Sequence, residues 1–206
     1  MVNLVGAGGH AKVVLDALVS GEIDPATIRI GDDNPQRAGA SLLGLPVDMP
    51  ALQSSVSGRP FHVAVGSGSV RERLAAEGEA MGGSYLAIVH PTAQISTFAD
   101  IGEGAFVAAL AVVGPSARIG RGAIINHGAV VDHDCRVGAF SHVAPLACLG
   151  GSVTVGHRSL VGASAVVLPG VRIGDDAIIG AGAVVTVDVP SSQTWAGVPA
   201  RPLGSS

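Results

Sequence analysis

Aromatic residues are almost missing from this 206-residue chain, which has four Phe, one Tyr and one Trp, so its interior has to be packed with aliphatic side chains. Charge is sparse too, at 14% of residues against the usual quarter. Twelve basic and sixteen acidic residues leave a net charge of -4 and form no Lys/Arg run. Such a chain is not built to track along a phosphate polymer, and no nucleic-acid partner is expected. Long apolar runs are absent as well: Gly, Ser, His or charge interrupts each of them before the roughly 18 residues that a membrane span requires. Met1 to His10 has neither the basic segment nor the apolar stretch of a secretory signal. A soluble, cytoplasmic protein without a membrane span is expected. The two cysteines, Cys135 and Cys148, have neither metal-ligand spacing nor a disulfide framework, and both are expected to be small packed residues.

The chain does have 30 glycines, about twice the ordinary share, and 48% apolar residues, enough for a substantial core. A period of six organises them. From Val89 every sixth residue is Val, Ile or Leu, through Ile95, Ile101, Val107 and so on to Val185, seventeen positions in unbroken phase. Four residues after each of the first sixteen comes a smaller side chain, such as Ala105, Ala111, Ala123, Cys135 or Ser141. Glycine often follows the large residue, as at Gly102, Gly120, Gly138, Gly156 and Gly174, where a corner with permissive φ is expected. Neither a helix nor a hairpin meander holds a large/small pair in phase for this long. A parallel β-helix does, with three hexapeptides per coil, so that residues 18 apart stack.

The first eighty-odd residues read differently. Val2 to Val5 is a strand, Gly6 to Gly9 a loop, and His10 to Val19 a helix. Further strands are expected at Ile28 to Ile30, Phe61 to Val65 and Tyr85 to Val89, with a second helix through Val70 to Ala76. Alternating strand and helix make a small, parallel, Rossmann-like α/β domain over 1–84, followed by the repeat domain over 85–206.

Gly6-x-Gly8-x-x-Ala11 lies between a strand and a helix, the context of a phosphate or nucleotide cradle. With Asp32 as a ribose ligand it also fits a dinucleotide oxidoreductase, although the domain lacks a second half, and a plain tight turn is the third reading. Among the histidines of the repeats, His133 lies two residues beyond an inward position and next to Asp134, which can orient it as a general base. By the 18-residue rule it stacks between Pro115 and Gly151, both without bulky side chains. The Gly151 N–H can then polarise a carbonyl. Cys135, in an inward slot, is a poor nucleophile.

These repeats resemble the hexapeptide-repeat acyltransferases, and the ending Trp195 to Arg201 is similar to the Gly-x-Pro-Ala-Lys/Arg segment that closes many of them. That resemblance alone implies a left-handed β-helix and a homotrimer with sites between subunits. Together the two halves resemble the bacterial N-acetyltransferases of nucleotide-linked amino sugars, close to the sialic-acid O-acetyltransferase-like proteins. The resemblance implies acetyl transfer from acetyl-CoA to the amine of a nucleotide-linked amino sugar, such as a 4-amino-4,6-dideoxy sugar. It implies a nucleotide-sugar site at Gly8, Gly9, His10, Asp32, Asp33 and Gly66, a base at His133 with Asp134, an oxyanion donor at Gly151, and an acetyl-CoA channel lined by His142, Ala163 and Ala181. Arg71 is read first as a solvated helix residue and second as a diphosphate contact. No metal is expected, because His127, His133, His142 and His157 are separated by 6, 9, 15, 24 or 30 residues and none stacks on another. O-acetylation of a sugar such as sialic acid and a non-catalytic nucleotide-binding scaffold are the alternatives.

Overall fold

The computed structural model describes residues 1–204, the side chain of Ser54 excepted; Ser205 and Ser206, assigned above to the second domain, lie outside the described residues. The chain forms two compact units, one over Met1–Pro91 and the other from Thr92 on. Among the described residues no helix is long and apolar enough to cross a membrane.

The first unit is a six-stranded sheet with two helices. β1 (Val2–Val5) is followed by α1 (Gly9–Ser20), β2 (Ile28–Gly31), β3 (Ser41–Leu42), β4 (Leu45–Asp48), β5 (Pro60–Val63), α2 (Gly68–Ala80) and β6 (Ser84–Tyr85). The order across the sheet is β3-β4-β2-β1-β5-β6, parallel except where β3 and β4 form a hairpin. That hairpin was not expected from the sequence. Its turn is Leu43-Gly44, both at positive φ, and neither strand carries the alternation that marks longer strands. The segment expected as one strand over Tyr85 to Val89 is two pieces, β6 and Ile88–Val89. α1 buries Ala11, Val14, Leu15, Ala17 and Leu18, a helical stripe. α2 lies so close to β5 that a Cβ on Gly78 would stand 2.6 Å from the Phe61 ring, which itself stacks on Tyr85 at 5.2 Å between centroids.

The second unit is the expected left-handed parallel β-helix. Two-residue strands stack in register at intervals of 18, as in Val112↔Val130, Arg118↔Arg136 and Ile124↔His142, and build three flat faces. Inside, Val107, Ile119, Ile125, Val131 and Leu149 alternate with Ala105, Ala117, Ala123, Ala129 and Ala147, all almost fully buried. Each large residue contributes about 1.5–3 kcal/mol through burial. Charged pairs 18 apart also follow the coils, Arg121 with Glu103 at 3.0 Å and Arg158 with Asp176 at 2.8 Å. The first position of the series departs from it: Val89 is 40% exposed and its neighbour Ile88 is buried.

The corners correct the reading of the glycines. Gly102, Gly120, Gly138, Gly156 and Gly174 have no left-handed backbone; what they require is closeness, since a Cβ on Gly120 would stand 2.7 Å from the amide of Ala139 one coil on. Left-handed φ falls three residues after each large side chain, from Gly104 to Gly182, at 55–74°. Several of these corners are not glycine, among them Leu110, Asp134 and Leu146. The strain, about 1–2 kcal/mol at such a residue, is offset because each corner amide bonds to the coil before it, as Asp134 N–H does to the Pro115 carbonyl at 3.0 Å.

Ala123, fully buried in a small slot, tests this packing. Ala123→Glu is expected to cost more than about 4 kcal/mol by burying an unpaired charge. Loss of the cooperative thermal transition would show this, with Ala123→Gly keeping its transition as the control.

Candidate functional site

Two groups of side chains carry chemistry, one in each unit. In the α/β unit the loop after β1 passes through Gly6, whose φ of +105° no branched residue tolerates well, into α1. Gly8 caps α1 without a side-chain hydrogen bond, and the first turn has no acidic residue, so the amides at this end face outward with their partial positive charge intact. A Cβ on Gly9 or Gly66 would meet nothing within 4 Å, so both backbones are open.

Asp32 ties this loop together. Its Oδ2 accepts from the Ala7 amide at 2.6 Å and from Arg37 Nη1 at 3.0 Å, and its Oδ1 from the Asn34 amide at 2.8 Å. Burial works to raise its pKa but is outweighed by the Asn34 and Ala7 amides and by Arg37, so the carboxyl is held below its ordinary range. Gly8, Gly9, His10, Asp32 and Gly66 line one cavity of about 340 Å³, which also takes in Asn34 and Arg37. Asp33 does not line it; its Oδ1 accepts from the Ala51 amide at 2.8 Å.

Arg71 is not a solvated surface residue. It is 1% exposed, and its Nη1 donates to the carbonyls of Val65 at 2.9 Å and Gly66 at 2.8 Å. Burial lowers its pKa to about 10, still far above neutrality, so a buried cation fixes the Gly66 loop from behind. His62, on β5, is fully buried and donates from Nδ1 to the Leu86 carbonyl at 2.9 Å; burial lowers its pKa to about 4, so it stays neutral and is structural.

In the β-helix, His133 stands at a corner with its side chain 55% exposed and its Nδ1 2.8 Å from Asp134 Oδ2. Its amide donates to Asp132 Oδ1 at 2.7 Å. The hydrogen bond to Asp134, then the charge of Asp132, raise the imidazole pKa above 6.5, slight desolvation acting the other way. With Nδ1–H committed to the carboxylate, Nε2 is the free basic nitrogen. Gly151, one coil on, lies directly beneath it: a Cβ there would stand 2.5 Å from Nε2. Glycine at 151 is what leaves room for the ring against the next coil. The Gly151 amide has no acceptor among the described residues although the residue is buried, a rare condition that suits an oxyanion donor.

His142 does not join this group within one chain. It lies on the face running Phe106, Ile124, His142, Leu160, opposite the corner that carries His133. Ala163 and Ala181 occupy another corner, 18 residues apart, and their amides have no acceptor among the described residues. His142 Nε2 is 3.0 Å from the side-chain Nδ2 of Asn126, and the Oδ1 of buried Asn126 accepts from the His127 backbone amide at 2.9 Å. Asn126 orients His142, a partner the sequence reading missed. Its signal was there: Asn126 is two residues past Ile124, which stacks on His142, so coil arithmetic alone would have found it. Arg37 was missed because it follows Asp32 only through a short turn.

Cys135 is buried as expected and donates to the Gly150 carbonyl at 3.2 Å, and burial raises its pKa. Cys148 corrects the expectation: it is half-buried on an outer face with Val112, Val130 and Val166, Leu110 and Leu146 standing exposed at the corner beside that face. Among the described residues no three His, Cys, Asp or Glu side chains group around a common point.

Comparison with known proteins follows the same division. Residues 1–77 match the PglD N-terminal domain, and residues 98–133 and 152–186 match the bacterial transferase hexapeptide (six repeats). A UDP-N-acetylbacillosamine N-acetyltransferase of Bacillus subtilis (strain 168) is 36% identical over 111 residues, 52% of this chain and 51% of its own, so the match spans about half the length of that curated relative. Perosamine N-acetyltransferase of Caulobacter crescentus, solved as a histidine-to-asparagine variant with CoA and GDP-perosamine, is 40% identical over 99% of this chain and 97% of its own, with a TM-score of 0.91. The acetyltransferase domain of PglB from Neisseria gonorrhoeae FA1090, solved with acetyl coenzyme A, is 34% identical over 98% of both chains, with a TM-score of 0.90.

The His133–Asp134 pair gives an expected titration. Asp134→Asn keeps a residue that tolerates left-handed φ but removes the charge, so the His133 pKa should fall. NMR titration of the imidazole reads this directly. An unchanged pKa would show that Asp134 does not act on the ring.

Proposed function

Because the chain belongs to the hexapeptide-repeat nucleotide-sugar N-acetyltransferases, we propose that it moves an acetyl group from acetyl-CoA to the amine of a nucleotide-linked amino sugar. The observation that carries this reading is the His133 imidazole, held by Asp134 and packed against Gly151, whose amide has no acceptor among the described residues. The sugar amine attacks the thioester carbonyl as His133 Nε2 takes its proton. The new N–C bond forms, the oxyanion rests on the Gly151 N–H, and collapse expels the coenzyme thiolate, which takes a proton back. Asp134 stabilises the imidazolium between these steps. General-base catalysis of this kind supplies roughly 10²- to 10⁴-fold, and positioning of two bound substrates contributes much of the rest.

Gly8, Gly9, His10, Asp32, Asp33 and Gly66 hold the acceptor, with Asp32 acting mainly by shaping the loop and Asp33 offering an Oδ2 that accepts no bond among the described residues. His142, Ala163 and Ala181 line the acetyl-CoA channel, the alanines through open amides. These lie away from His133 on the same prism, so the complete site needs a neighbouring β-helix. A homotrimer supplies one, and the apolar face of Val112, Val130, Cys148 and Val166 suits a second copy of the chain. The chemistry needs no metal. With two thiols and no disulfide, the enzyme fits the reducing cytoplasm.

Incubation with acetyl-CoA and UDP-, GDP- or dTDP-linked amino sugars, following thiol release, tests the reaction. Release with free sialic acid and with no nucleotide amino sugar would overturn the acceptor class. His133→Ala is expected to lower kcat at least about 10²-fold with little change in acceptor KM. His10→Ala should raise acceptor KM and spare turnover at saturation. Full activity of His133→Ala at neutral pH would end the general-base assignment.

A further inference from the structure

Arg37 ends the short turn Pro35–Arg37 that follows Asp32, Asp33 and Asn34. Two hydrogen bonds close the turn: the Asn34 side chain accepts from the Gln36 amide at 3.0 Å, and the Arg37 amide donates to the Asn34 carbonyl at 2.9 Å. This sends the guanidinium back over the glycine loop, where Nη1 meets Asp32 Oδ2 at 3.0 Å and would stand 3.3 Å from a Cβ on Gly8. A side chain at position 8 would crowd it there.

Two cavities meet at this point. One of about 340 Å³ reaches toward His10 and Gly66, and one of about 240 Å³ toward Lys12 and Val47; Gly8, Gly9 and Arg37 belong to both. The waist between them is positive. Arg37 and the uncapped amides of α1 point into it, Lys12 stands on the smaller cavity's wall, and the single carboxylate present, Asp32, already accepts three protein N–H groups. Neither Ala7 nor Asn34 needs Arg37 to hold Asp32, and a pair this exposed, with the arginine side chain 40% accessible, adds little to the fold. A guanidinium fork has donors to spare for an anion.

A ligand that fills this shape has an anionic middle and two uncharged ends. We propose that Arg37 binds the diphosphate of the nucleotide sugar at the waist, with the nucleoside in one cavity and the sugar in the other. Arg37, and not buried Arg71, is then the diphosphate contact. The inference rests on the nucleotide-sugar reading above and names the residue that makes the site select a diphosphate.

Calorimetry with GDP, UDP and dTDP against guanosine, uridine and thymidine, on wild type, Arg37→Met and Arg37→Lys, tests it. Wild type should prefer the diphosphate of its own base. Arg37→Met should lose about 10- to 100-fold in diphosphate affinity and leave the nucleoside unchanged, with acceptor KM rising in step and kcat at saturation kept. Arg37→Lys should fall between, since an ammonium is a point charge and not a fork. Equal losses for nucleoside and diphosphate would show that Arg37 only supports the loop, and no loss for either would remove it from the site. Both results overturn this inference while wild-type acetyl transfer to a nucleotide sugar stands. A wild type that acetylates no nucleotide sugar overturns the parent reading and this one with it.

Discussion

The in-register stacking of one coil on the next governs everything else in the β-helix. Residues 18 apart stack because backbone N–H and C=O groups pair rung by rung, as in Val112↔Val130 and Val130↔Cys148. At several corners the stacking leaves no room for a Cβ where the chain leaves a strand, as at the glycines 102, 120, 138 and 156, whereas Asn126 and Asp132 carry side chains at the same point of their coils. It also forces a left-handed residue at each corner, glycine or not. Between these two positions lies one residue per corner outside the ladder, proline at 115, 145 and 169 and a residue with an N–H in other coils.

Several of the residues proposed above for catalysis and for the acetyl-CoA channel share that position. His133, Gly151, Ala163 and Ala181 all occupy the same slot of their hexapeptides, two residues past an inward side chain. At 151 and 133 the slots are stacked, so the imidazole packs against the next coil at a residue without a side chain. The raised pKa of His133 follows from where Asp134 must be: the left-handed corner turns its carboxylate back onto the ring. One backbone constraint therefore places His133, Asp134 and Gly151 together, the three residues of the proposed mechanism.

The α/β unit reaches its chemistry by other means, through loops whose shape is set by buried polar groups. Asp32 gathers the glycine loop, the Asn34 amide and Arg37, and Arg71 holds the Gly66 carbonyl from the protein interior. Breaking either leaves unsatisfied partners in a half-buried setting, which is why these charged residues act first as architecture. Asp33, adjacent in sequence and alike in chemistry, turns instead to Ala51.

The sequence by itself determined the period, the coil length, the inward large and small slots, and therefore that His133 lies over Gly151 and between Pro115 and the coil beyond. These are arithmetic consequences of a repeat, in which local identity and tertiary position coincide. It also showed the β1-loop-α1 cradle, because glycine and helix signals are local. It could not show that Arg71 is buried, that Asp32 and Asp33 part company, that β3 and β4 form a hairpin, or that Arg37 arches back over Gly8. Each of these depends on which non-repeating segments meet in space. Only the tertiary structure decided them, because in an irregular loop a side chain's neighbours are set by packing and by the satisfaction of buried polar atoms, and spacing along the chain carries no record of either.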